Sequence, residues 1–222
     1  MILKRHGHFL ILFLFLTLFQ SKAQPFLKDV QAFEAQDRIE KPEAGGILFI
    51  GSSSFTKWKN VSDWFPDKRI INRGFGGSSL PDLIGYFDKI VTPYNPIQVV
   101  VYCGENDVAS SPSTTADTVL QRFKILHQII RKQYPKVRIS FVSLKPSPAR
   151  ASFLGTVKST NAAIQQFCMK SKNTDFIDVF TPMLNTDGSF KEELFVEDRL
   201  HMNEKGYLIW QKAIAPFLVK TN

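Results

Sequence analysis

The stretch "GGILFIGSSSFTKW", Gly45–Trp58, decides how the rest of the chain is read. Apolar residues run unbroken from Ile47 to Ile50, then Gly51 and three serines follow at once. A strand with one wet face alternates apolar and polar side chains, whereas a strand covered on both faces does not. Gly46–Ile50 therefore reads as a central strand of a sheet with helices on both sides. Its exit carries three hydroxyls, which poses a choice between an ordinary Gly/Ser turn and a serine nucleophile displayed where a buried strand surfaces.

Working outward, similar apolar, β-branched runs recur at Arg69–Asn72, Ile97–Cys103, Val137–Leu144 and Asp175–Phe180. Between them the spacing turns helical, most clearly over Ala116–Tyr134. There Val119, Phe123, Leu126 and Ile130 share one face and Pro135 closes the segment. Further helices are expected over Phe26–Glu40, Leu80–Val91, Gly155–Lys170 and Asn203–Val219. Strands alternating with helices predict a parallel sheet. Ligands of such sheets bind beyond the carboxyl ends of the strands. The segments at those ends are "GSSS", "RGFGGSS", "GEND" and "KPSPAR", with "EDRLHMNEKGY" further on.

The chain has 222 residues, 44% hydrophobic and 22% charged, enough for one domain with a sizeable core. Its start, "MILKRHGHFLILFLFLTLFQSKAQ", has the layout of a secretory signal peptide: Lys4 and Arg5, an apolar stretch Phe9–Phe19, then small residues at Ser21 and Ala23. The apolar run is shorter than the roughly 20 residues that span a bilayer, and no cysteine follows it to carry a lipid. The expectation is a signal peptide over 1–23, a single domain over 24–222, and a secreted or periplasmic product without a stable membrane anchor. Removing the leader takes away Lys4, Arg5 and Lys22 and no acid, lowering the formal charge from +8 to +5. The remaining basic residues are scattered, which argues against nucleic acid as a partner. Cys103, at the end of a strand run, and Cys168, in a helical pattern, read as buried free thiols. No histidine and cysteine spacing resembles a zinc site and no phosphate-loop pattern occurs, so no metal or cofactor is expected.

A serine needs a base, most often histidine. His6 and His8 leave with the leader, and His127 lies beside the apolar helix face next to Leu126 as a residue at the boundary of the core. His201 remains. Asp198 stands three residues before it in "DRLH", close enough for a turn to bring a carboxylate to Nδ1 and leave Nε2 for a hydroxyl. Acyl transfer also needs donors for a negative oxygen. The glycine-rich "NRGFGGSS", Asn72–Ser79, can offer backbone amides, and Asn106 in "GEND" a side-chain amide, although both segments also suit plain turns.

Assembled in this order, the chain resembles the SGNH hydrolases, also called the GDSL esterase/lipase family. "FIGSSSFTKW", "NRGFGGS", "YCGEND" and "DRLHMNEKGY" match its four blocks in sequence, from the first strand to Tyr207. The resemblance implies an α/β fold, a flavodoxin-like three-layer α/β/α sandwich with a five-stranded parallel sheet. It also implies a serine esterase, which the leader would export, acting on a small-molecule or carbohydrate O-acyl ester, acetyl first, lysophospholipid or thioester second. Matched by block position, Ser53 is the nucleophile, His201 and Asp198 complete the triad, and the amides of Ser53 and Gly77 with the Asn106 side chain form the oxyanion hole. Gly77 is chosen because it directly precedes Ser78, the polar residue opening the next helix. Ser52 departs from the pattern, since the family usually carries aspartate there.

Two other readings compete. An α/β-hydrolase elbow, G-x-S-x-G, fails at Phe55. A non-catalytic carbohydrate-binding module would use Trp58, Trp64 and Tyr102 as a sugar platform, where core or pocket wall is the simpler expectation. "KPSPAR", Lys145–Arg150, can hold an acidic or phosphorylated leaving group, against the simpler expectation of a solvated proline-rich loop.

Overall fold

The computed structural model describes residues 25–221; the leader expected over 1–23 lies outside them. Five parallel strands form one sheet: β1 (Ile47–Gly51), β2 (Ile70–Gly74), β3 (Gln98–Tyr102), β4 (Arg138–Val142) and β5 (Thr174–Ile177), in the order β2-β1-β3-β4-β5. Ile47 stands opposite both Ile70 and Gln98, which places β1 between β2 and β3. This is the order of a flavodoxin-like sheet, with its switch point beside β1.

The helices are α1 (Leu27–Ile39), α2 (Ser53–Thr56), α3 (Leu80–Gly85), α4 (Phe87–Ile90), α5 (Glu105–Ser110), α6 (Ala116–Gln133), α7 (Leu154–Met169) and α8 (Glu204–Ile214). Alternate residues of β1 face opposite layers. Leu48 and Ile50 join the core under α3, α6 and α7, while Ile47 and Phe49 join Phe55, Trp58 and Trp210 under α8. All four are fully buried, as an unbroken apolar run requires.

Several boundaries depart from expectation for local reasons. The helix expected over 80–91 divides at Tyr86, just after Gly85, where the helix is intrinsically weak. The one expected over 203–219 stops at Ile214, because Pro216 cannot continue it and the chain tightens into a 3-10 turn over Ala215–Phe217. β5 ends at Ile177 rather than Phe180: the amides of Val179 and Phe180 donate to Ser143 Oγ instead of to a ladder. Cys103 and Cys168 are free and buried, and burial pushes both thiols up, Cys168 to about 12.

Candidate active site

β1 ends in a conformation open to glycine alone. Gly51 has φ +150°, and a Cβ there would lie 2.0 Å from the Tyr102 carbonyl oxygen on the neighbouring strand. The chain thus leaves the sheet pressed against β3, and Ser53 opens α2 directly above. The Asn72 side chain fixes the turn from beside β1, donating to the Phe55 carbonyl at 2.8 Å while accepting from the Gly74 amide. From the far layer the Tyr207 hydroxyl donates to the Ser54 carbonyl at 2.8 Å. Ser53 is held from three directions.

His201 comes to Ser53 from the segment before α8, with Nε2 3.0 Å from Ser53 Oγ. Its Nδ1 meets Asp198 Oδ2 at 2.5 Å, and Asp198 Oδ1 accepts from the amides of Leu200 and His201 at 2.9 and 2.8 Å. Burial presses the Asp198 carboxyl upward, but the His201 amide, its imidazole and the Leu200 amide together hold it well below the usual carboxylate range. Arg199 takes φ +54° to let so tight a turn form. Asn203 then caps α8 through its side-chain oxygen. A hydroxyl, an imidazole and an ionised carboxylate in this line can move the Oγ proton onto Nε2 and stabilise the imidazolium that results.

The glycine loop after β2 closes on the same point. Gly77 has φ +84° in the turn from Phe75 to Ser78, and a Cβ at Gly76 would lie 3.8 Å from Ser53 Cβ. Among the described residues the amides of Ser53 and Gly77 donate to no acceptor. Phe26, with its ring against Gly77 and Phe75, backs the loop from α1. Asn106 stands opposite, but both hydrogens of its amide are engaged, one on Ser52 Oγ at 2.7 Å and one on the Ser78 carbonyl at 2.9 Å. All five expected residues, Ser53, Gly77, Asn106, Asp198 and His201, thus gather at the carboxyl ends of the strands.

The expectation of a solvated loop at "KPSPAR" is wrong. Lys145 is 2% exposed, and its Nζ meets Glu105 Oε2 at 2.5 Å. Tyr102 and Ser147 hydroxyls complete the carboxylate's shell at 2.6 Å each. Burial pushes the Glu105 carboxyl up, yet Lys145 and Arg150 pull it below its ordinary value. Arg150 lies above this pair, Nη2 donating to Asn106 Oδ1 at 2.7 Å and Nη1 3.5 Å from Glu105. Sequence reasoning had both segments, but not the pairing of a charge after β3 with a charge after β4.

Arg150 and Leu200 roof a crevice of about 10 Å³ whose other walls include Ser52, Ser53, Tyr102 and Asn106. His127 is elsewhere, buried between α6 and β5 with Nε2 3.0 Å from Thr174 Oγ1. Trp58 and Tyr102 are core residues and Trp64 packs against the same cluster, so these rings form no sugar platform.

Known proteins share this architecture. The chain is similar to platelet-activating factor acetylhydrolase IB subunit alpha1 of Rattus norvegicus, 24% identical over 197 residues that cover 85% of this chain and 80% of the relative. A GDSL-like lipase from Bacteroides thetaiotaomicron has the same fold, with a TM-score of 0.72 and 20% identity over 85% of this chain and 96% of that one. So does an acetylxylan esterase from Geobacillus stearothermophilus, in a catalytic mutant, with a TM-score of 0.62 and 17% identity over 78% and 94% of the two chains. The family described as GDSL-like Lipase/Acylhydrolase matches residues 50–209, and this chain belongs to that family of ester-hydrolysing enzymes.

Proposed function

We propose that the protein is an exported serine esterase that removes short acyl groups, acetyl foremost, through an acyl-enzyme on Ser53. The carrying observation is the line Ser53 Oγ, His201 Nε2, His201 Nδ1, Asp198 at the edge of a crevice of only about 10 Å³. That volume holds roughly one water molecule, so the crevice beside Ser53 admits only a small group. A long acyl chain has no room there unless Arg150 or Leu200 moves.

In the forward half-reaction His201 Nε2 takes the Ser53 proton as Oγ attacks the ester carbonyl. The carbonyl oxygen becomes negative between the Ser53 and Gly77 amides, beside the Ser52 and Asn106 side chains. His201 returns the proton to the departing alcohol, and water then repeats the sequence on the acyl-enzyme. Removal of a leader over 1–23 would deliver the domain outside the cytoplasm, where acetylated carbohydrates are a fitting substrate class. The acetylxylan esterase similarity and the acetylhydrolase relatives support the acetyl assignment.

Hydrolysis of p-nitrophenyl esters of increasing acyl length tests the reading. Acetate should be turned over best, with kcat/KM falling steeply by butyrate. A maximum at octanoate or beyond would replace it with a lipase or thioesterase assignment.

A further inference from the structure

We propose that the Ser52 hydroxyl is itself a donor to the oxyanion, and that Asn106 and Arg150 act through it. This rests on Ser53 being the nucleophile. Ser52 occupies the position before α2 where a serine normally accepts a hydrogen bond from an amide of the first helical turn. Here it makes no such bond. Its backbone is extended, its side chain is turned into the crevice that Ser53 lines, and the residue is only 4% exposed.

The hydrogens can be counted. A side-chain amide has two, and those of Asn106 go to Ser52 Oγ and the Ser78 carbonyl. Asn106 therefore has none to give a substrate oxygen without breaking one of these bonds. Ser52 Oγ accepts from Asn106, and among the described residues its own hydrogen has no acceptor. A shielded hydroxyl with an unspent hydrogen is costly unless a partner arrives. An oxygen gaining negative charge beside Ser53 is such a partner.

Arg150 strengthens the chain from its far end. Its Nη2 donates to Asn106 Oδ1 at 2.7 Å, which draws electron density from the amide and makes Nδ2–H a better donor to Ser52. Ser52 O–H is strengthened in turn, since linked hydrogen bonds polarise one another. Arg150 is a positioning residue in this scheme, whereas Ser52 touches the reacting oxygen. An ionised aspartate, the family's usual residue at this place, accepts only and could not play the part.

The decisive experiment compares Ser52→Ala, Ser52→Asp and Ser52→Thr on p-nitrophenyl acetate, with Tm measured on each preparation. Loss of the donor should lower kcat about 100-fold in Ser52→Ala with KM nearly constant, as for other single oxyanion donors. Affinity for a boronic acid transition-state analogue should fall by the same factor. Ser52→Asp should be as poor as Ser52→Ala, while Ser52→Thr, which keeps the hydroxyl, should stay within a few-fold of wild type. If Ser52→Ala fails to fold, Ser52→Cys, with a weak thiol donor, takes its place under the same criterion. A kcat within threefold of wild type, or above it, overturns the proposal, because the Asn106 hydrogen freed from Ser52 is then the direct donor. Labelling by a fluorophosphonate separates the two levels of argument. If Ser53→Ala still takes the label, the nucleophile assignment fails. If it does not, while Ser52→Ala turns over normally, only the Ser52 role is lost.

Discussion

Ser53 stands between two polar groups built in contrasting ways. On one side are Asp198 and His201, neighbours in sequence at the surface, with side chains 47% and 18% exposed. On the other are Glu105 and Lys145, 8% and 2% exposed, brought together from the ends of β3 and β4 across 40 residues of chain. The first pair needs only a turn. The second needs the whole sheet in register. A base that must take and return a proton gains from access to water and from a local loop that can adjust. Dipoles that stabilise developing charge gain from being fixed beforehand in a dry place, where they need no reorganisation during reaction.

The contrast predicts that the surface pair governs chemistry far more than stability. His201→Ala should lower kcat/KM by roughly 10⁴-fold or more, with Tm nearly unchanged. Ser53→Ala should abolish both turnover and fluorophosphonate labelling. His127→Ala, if folded, should stay within a few-fold of wild type. Equal losses in the two folded histidine variants would remove the distinction between them.

The same contrast explains how much of the molecule is legible in its sequence. β1 was legible because burial on both faces leaves an unbroken apolar run, and α6 because one face repeats every three to four residues. Asp198 and His201 were legible as a pair because their contact is local. The Glu105–Lys145 pair was not, since nothing in "GEND" or "KPSPAR" states that β3 and β4 are adjacent. A lysine between proline and a strand looks solvated until the sheet order buries it. Ser52 was visible as a departure from aspartate, but its partner emerged only when Asn106 was found facing it.

On the dry side, Asn106→Ala should lower kcat by roughly 10²–10³ with little change in KM, whether the amide acts directly or through Ser52. A drop in Tm with normal kcat in the folded fraction would reduce Asn106 to a turn residue. Beneath it, Lys145→Met leaves Glu105 buried without its principal counter-charge, a change that costs about 3–5 kcal/mol. Urea unfolding should show that loss. A variant as stable as wild type would mean that Arg150 alone balances Glu105.

The smallest effect sharpens the comparison through the other histidine. His127 is 9% exposed, against the rings of Phe123 and Phe167. Burial, and then the charge of Arg131, pull its pKa down to about 4. In the unfolded chain it titrates near 6.5. Between these values the unfolded chain binds a proton that the folded protein refuses, so stability is complete above about pH 6.5 and declines as pH falls toward 4. The decline amounts to about 3 kcal/mol at most, from the separation of the two values. His127→Gln should flatten the Tm profile between pH 7 and pH 4.5 while leaving activity at pH 7 within a few-fold. An unchanged slope would mean that the folded protein already accommodates a charged His127.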